Sequence, residues 1–415
     1  MRGDQGLFYG WRVVAACFVV AAFAWGLGLF GSSVYLQAVP ARHGWAVAEV
    51  ASAITLFFLV SAAIQRAVGR AIDRWGPRPV LSLGTVSMAT GVALIGQVTA
   101  SWQLYPCFAL IGFGWSTLST TGIAATVAPW FERHQGRSVT LAIMCASVGA
   151  ILGVPLLLQV LQRLGLGLGL LAVALVAVLV LLPLIGWVLR FRGPAELGLR
   201  RDGDALPRDR AASSVPAPIG AQGRRSVLLW SMAVGIALGL TVQIGFITHH
   251  LALAEPLLGA GGAGLLVSAT GAMAFAGRLV LARIVDRVNV RGLAACVMVA
   301  QTAALLAIVL WPSVPELIGA SLVYGYGIGH VTTLGPVIVR REFGAAAFGA
   351  TYGSAATVIQ LTSAFGPALL GFLRDAFGGY GPGLALASLC TATGGLVLFV
   401  GGQVSSRRAV TPTCS

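Results

Sequence analysis

Arg278 has the least ordinary setting of any charged residue in this chain of 415 residues. It lies inside the apolar stretch 265–284, eight residues before Asp286, where that stretch turns polar. At ~1.5 Å of rise per residue, ~12 Å of helix carries the guanidinium towards the middle of a ~30 Å hydrocarbon layer. A charge at that depth costs several kcal/mol unless something compensates it, so it marks a functional site by default. The 13 acidic residues all fall at or beyond the ends of the apolar stretches. The expected counter-charge is therefore a bound anion. Arginine suits that task because its planar fork presents paired donors to an anion and stays charged when buried.

Other residues in apolar stretches extend the candidate site. The His330 imidazole titrates near neutral pH and is a candidate proton site, against the alternative of a neutral ring hydrogen-bonded between helices. Trp115, Tyr326 and Tyr352 are candidates to shape a pocket, as is Tyr324, although aromatic residues in such stretches also serve as packing or interface anchors. Gln243 and Gln360 are costly in hydrocarbon and are expected to face a cavity or another helix. Arg66, nearly as deep as Arg278, is expected to snorkel or bond another helix, with a second anion-binding cation as the alternative. His249 and His250 close an apolar stretch and are expected at a solvated mouth. No nucleophile–base pair or metal-ligand cluster is evident within these stretches, so an enzyme is not expected. No cofactor is expected, and the chain has no G-x-x-x-x-G-K-[ST] loop for ATP. The six cysteines form no C-x-x-C pair and are expected to pack as small apolar residues.

The elements that must position these residues are membrane spans. A hydrophobic content of 57%, a charged content of 10% and a mean hydropathy of +0.88 exclude an ordinary soluble domain. The chain reads as twelve apolar segments of ~20 residues separated by short polar loops, long enough for helices rather than barrel strands. The net charge of +14 does not point to nucleic acid, because the basic residues are all arginine and cluster on alternate loops. Arg70, Arg74 and Arg78 follow the second segment, eight arginines fill 190–225, and Arg283, Arg287 and Arg291 follow the eighth. The opposite loops hold only Arg42, Arg163 and Arg374. This bias predicts a multi-pass protein of the cell's inner (plasma) membrane with both termini cytoplasmic. The first segment is too long for a cleaved leader and is expected to be retained.

The chain is also built twice. A shift of 213 positions brings Asp73-Arg74 onto Asp286-Arg287 and Gly112-Phe113-Gly114 onto Gly325-Tyr326-Gly327. The expected architecture is an all-α membrane protein of twelve transmembrane helices in two pseudo-symmetric six-helix halves. The halves are 1–190 and 226–415, joined by a flexible cytoplasmic linker at 191–225. Two such halves with a site at mid-depth form a transporter plan.

The stretch Gly69-Arg70-Ala71-Ile72-Asp73-Arg74-Trp75-Gly76-Pro77-Arg78 resembles the G-x-x-x-D-R-x-G-x-R signature of the major facilitator superfamily, with a weaker copy at 282–291. The resemblance implies a conformational latch in which Asp73, Arg74 and Arg78, with Asp286 and Arg287 in the copy, dock against helix ends of the opposite half. Tyr9-Gly10-Trp11, Trp130-Phe131-x-Arg133-x-x-Gly136-Arg137 and Gly277-Arg278 are similar to the monocarboxylate and oxalate:formate exchanger branch. By that resemblance Arg278 binds a substrate carboxylate. Three departures stand beside it. Ala274 occupies a position that is acidic in mammalian-type carriers of the branch. Nothing basic lies between Arg341 and Arg374, which weakens a dicarboxylate reading. Phe108 stands where many drug and sugar carriers have arginine. The expectation is a monomeric secondary transporter of a small organic anion, with proton symport, exchange and uniport all open. The alternatives are a carrier of another solute such as a drug or nitrate, a transporter-like sensor, or an intramembrane enzyme.

Overall fold

The computed structural model describes residues 8–132, 134–144, 146–203 and 222–406, and every regular element among them is helical. The first elements are α1 (Tyr9–Leu27), α2 (Gly31–His43), α3 (Val47–Trp75), α4 (Pro77–Ile95), α5 (Leu104–Leu118), α6 (Thr120–Val127) and α7 (Gln135–Met144). There follow α8 (Ala146–Val148), α9 (Val154–Val188), α10 (Gln222–Ile284), α11 (Val290–Leu310), α12 (Val314–Ser363), α13 (Gly366–Phe377) and α14 (Gly381–Ser406). The chain forms two compact units, Met1–Trp45 with Leu56–Asp209 and Ala46–Thr55 with Arg210–Ser415. The first turns of α3 group with the second unit, where the Asp375 carboxylate accepts the Ala48 N–H at 2.6 Å.

Among the described residues, ten helical stretches are long and apolar enough to cross a bilayer. Two of them, Arg137–Val188 and Ser226–Ile284, run for 52 and 59 residues. At ~1.5 Å per residue each would be more than twice the ~30 Å hydrocarbon thickness. Each is interrupted by a glycine at positive φ, Gly165 at 74° and Gly259 at 67°. Glycine enters that region without the penalty a side chain imposes, so each run is broken into two helices there. The ten stretches are thus consistent with twelve passages.

The internal repeat is visible in the packing. A methyl built on Gly112 of α5 would lie 2.5 Å from the Phe57 carbonyl of α3, and one on Gly325 of α12 would lie 2.6 Å from the Thr270 carbonyl of α10. Phe57 and Thr270 are themselves 213 positions apart. Gly114 meets Met88 in the same way that Gly327 meets Gln301, again one repeat apart. Small residues let these helices touch backbone to backbone, the contact that membrane helices favour. The second unit has its core among α10, α11, α12 and α14, around Met232, Ile236, Met298, Leu334 and Leu398. Leu152, just before α9, and Leu156, Leu168, Leu175 and Leu179 on it form an exposed apolar wall with their neighbours. In water such a wall would drive aggregation, whereas in a bilayer it faces lipid.

Candidate functional site

Arg278 lies half-buried on α10, on a turn that packs closely against α12. Gly277 makes that approach possible. A methyl there would collide with the Tyr326 carbonyl oxygen and lie 3.1 Å from His330 Nδ1. On the α12 side, a methyl at Gly329 would come within 2.9 Å of the Arg278 backbone nitrogen. His330 is 1% exposed, and its ring centroid is 4.8 Å from that of Tyr326. Its Nδ1–H donates to the Tyr326 carbonyl at 3.0 Å, because a carbonyl can only accept. In a neutral ring that bond leaves the lone pair on Nε2. The Arg278 backbone, Tyr326 and His330 therefore lie on adjoining turns of α10 and α12.

The other candidates are distributed more widely. Gln243 on α10 is buried, and its Oε1 has no hydrogen-bond partner. Tyr324 is fully buried against Phe246, and its hydroxyl likewise lacks a partner. Tyr352 packs on the core of the second unit, and Gln360 is half-buried on α12. Trp115 belongs to the first unit, its ring tilted against Trp25 at 4.8 Å and edge-on to Phe57 at 5.7 Å. Arg66 is exposed on α3.

His249 and His250 require a correction, since both are 2% exposed rather than solvated. His249 Nε2–H donates to the Pro367 carbonyl, and Nδ1 accepts from the Tyr380 hydroxyl, both at 3.0 Å. His250 Nε2 meets Ser321 Oγ at 3.0 Å while its ring stacks on Phe246. Hydrophilic residues near a span's end look solvated in sequence, but here partners on α12 and α13 and before α14 enclose them.

At the signature, Asp73, Arg74, Arg78 and Arg287 are exposed, and the Asp286 side chain lies outside those described. The Arg74 guanidinium stacks over Trp75. Sequence reasoning missed three arginine contacts nearby. Arg192 donates to the carbonyls of Arg74 and Trp75, both at 3.3 Å, and so caps the C-terminal end of α3. Arg341 does the same for the end of α10, through Val285 at 2.6 Å and Val288 at 3.2 Å. Trp75 and Val288 are one repeat apart. Arg291, counted among loop cations, is 3% exposed and forms a two-pronged pair with Glu342 while also reaching Ser231 and the Leu228 carbonyl. An acidic residue directly after Arg340-Arg341 was the available signal, but its partner lies 51 positions away.

The two terminal branch motifs turn out to be one piece of structure. Tyr9 packs at a tilt on Trp130 at 5.3 Å and Trp11 edge-on to Phe131 at 5.0 Å, with Trp130 and Phe131 buried. Gly10 leaves room for the Phe131 ring. The Tyr9 hydroxyl donates to the Val188 carbonyl at 2.9 Å, which ties the start of α1 to the end of α9.

A family profile described as Major Facilitator Superfamily matches residues 14–367. Human monocarboxylate transporter 11 is 26% identical, over 94% of this chain and 82% of its own length. The oxalate:formate antiporter of Oxalobacter formigenes is 26% identical over 46% of this chain and 44% of its own. A multidrug resistance protein, MdtH of Yersinia enterocolitica, is 30% identical over 26% of this chain and 27% of its own. Among solved structures, a bacterial homologue of the human lysosomal transporter Spinster aligns with a TM-score of 0.69 at 13% identity, covering 98% of both chains.

Proposed function

Because this chain belongs to the major facilitator superfamily, we propose that it moves small organic anions, monocarboxylates foremost, by alternating access, with Arg278 holding the substrate's charge. The family makes it a multi-pass membrane transporter rather than an enzyme. The observation that carries the finer reading is the Gly277-Arg278 turn against Tyr326 and His330. A fixed cation at mid-span needs anionic compensation at some point of the cycle, and a carboxylate matches its fork. The chain's relatives include proteins named for monocarboxylate, oxalate and formate. The match to a multidrug protein covers about a quarter of the chain and of that protein.

His330 is the proposed proton site, since Ala274 occupies the position where an acid is expected from the branch. Protonation at Nε2 would favour anion binding nearby, and the anion would favour protonation by the same factor. Tyr326, Trp115, Tyr352, Gln243 and Gln360 are proposed to contribute to the cavity wall. Asp73, Arg74, Arg78, Asp286 and Arg287 are proposed to set the balance between access states rather than affinity. The test is uptake of a radiolabelled carboxylate panel into proteoliposomes, with and without a pH gradient. Uptake of monocarboxylates that competes within the panel supports the reading. Transport of cationic or neutral drugs with no carboxylate uptake overturns it.

The arginine bias further supports termini and the 191–225 linker on the cytoplasmic side of the plasma membrane. A Ser213→Cys change in a cysteine-free background is expected to resist impermeant thiol reagents outside intact cells. Rapid labelling there would reverse the orientation.

A further inference from the structure

The first unit holds a groove of about 590 Å³ between α3, α4 and α5. Its walls are apolar, formed by Ile64, Ala67, Val68, Val80, Leu83 and Phe113. At one end it is lined by Arg70, Arg74 and Trp75. On α3 the lining runs from Ile64 to Trp75, eleven positions further along the helix. That is ~16 Å of helix, close to half of a ~30 Å hydrocarbon layer and so the depth of one leaflet. Trp75 is 58% exposed at the polar end, the place where tryptophan anchors a helix to the headgroup layer. Asp73 does not line the groove, whereas Arg192 brings a third cation to the Arg74 and Trp75 carbonyls at the same end.

We infer that this groove binds one anionic phospholipid, with its phosphodiester between Arg70 and Arg74 and an acyl chain lying along the apolar wall towards Phe113 and Thr117. The two ends call for different chemistry in one molecule. A small organic anion would satisfy the arginines and leave the wall empty, and a neutral hydrocarbon would do the reverse. Arginine forks suit phosphate oxygens, and basic pockets between helices at the headgroup level recognise acidic lipids. The matching crossing in the repeat is closed. Ile64 corresponds to Gly277 and Thr117 to His330, and Gly277 lies against Tyr326 and His330 where the first unit has its groove. The assignment is independent of what the protein transports.

The test is native mass spectrometry of the purified full-length protein, titrated with phosphatidylglycerol or phosphatidylcholine of identical acyl chains. The expected result is retention of one phosphatidylglycerol at concentrations where phosphatidylcholine is lost. Arg70→Gln and Arg74→Gln should each weaken it about five-fold, the equivalent of about 1 kcal/mol per arginine at a lipid surface. Ala67→Trp, which fills the wall and keeps both arginines, should weaken it comparably. Equal retention of the two lipids by the parent protein would overturn the site. So would an arginine effect without an Ala67→Trp effect, because that pattern means diffuse attraction and no seated chain.

Discussion

The two halves place different chemistry on matched positions of one helical scaffold. Arg278 corresponds to Gln65, His330 to Thr117, Tyr326 to Phe113 and Gly277 to Ile64. In the first half these groups are neutral and satisfied locally. Gln65 Nε2 donates to Thr121 Oγ1 at 2.6 Å, and Thr117 Oγ1 donates to the Gly114 carbonyl at 2.7 Å. In the second half a guanidinium and an imidazole occupy the same register, and Gly277 lets the backbones of α10 and α12 close. Duplication thus supplies the frame, seen in the paired Gly112–Phe57 and Gly325–Thr270 contacts, while departures from it supply charge. Where the first half stays open between α3 and α5 it offers a groove, and where the second half closes it holds Arg278.

The sharpest test of this asymmetry is Arg278→Ala beside Gln65→Ala. The first is expected to weaken carboxylate binding by two orders of magnitude or more, about 3 kcal/mol for a lost bidentate charge-assisted pair. Arg278→Lys should lose most of that affinity, since a point charge does not replace the fork. Gln65→Ala should change it only a few-fold. Equilibrium binding of labelled substrate to folded, monodisperse protein measures all three, and near-normal affinity in Arg278→Ala would break the comparison.

Exchanging the residues at the close approach comes next. Gly277→Ile imports the first half's residue into the α10–α12 contact, where even a methyl meets the Tyr326 carbonyl. Overpacking of this kind costs about 1–3 kcal/mol, and a clear fall in thermal unfolding temperature is expected. Ile64→Ala, which faces the groove, should shift that temperature less. Equal shifts would mean that the two crossings are equally tight.

His330→Gln addresses coupling. Wild-type uptake is expected to be faster with an acidic outside, and the variant should still exchange substrate while failing to concentrate it on a proton gradient. Accumulation that survives the change would return His330 to the role of its counterpart Thr117, a buried side chain bonded to its own helix.

The smallest effect is expected at the signature. Asp73 is exposed and lies far along α3 from mid-span. Asp73→Asn removes a charge–dipole contribution of about 0.3–1 kcal/mol, so transport should slow while equilibrium binding changes by no more than a few-fold. Full-rate transport by the variant would remove Asp73 from the latch.

Sequence alone determined the class of molecule. Helix-length apolar runs exclude a soluble fold, a shift of 213 exposes the duplication, and one arginine inside an apolar run marks the place to look. Those signals survive in one dimension because each depends on the composition or spacing of a single segment. Tertiary structure decided what each polar side chain meets. It enclosed His249 and His250, paired Arg291 with Glu342, set Arg192 on the end of α3 and joined Tyr9 to Trp130. It also left a groove beside Arg70 and Arg74 while closing the matching crossing on Gly277. Hydropathy reports how apolar a helix is but not which of its faces a distant helix will cover. In a membrane, where lipid and protein are both apolar, that choice rests on small residues and close backbone contact between segments far apart in the chain.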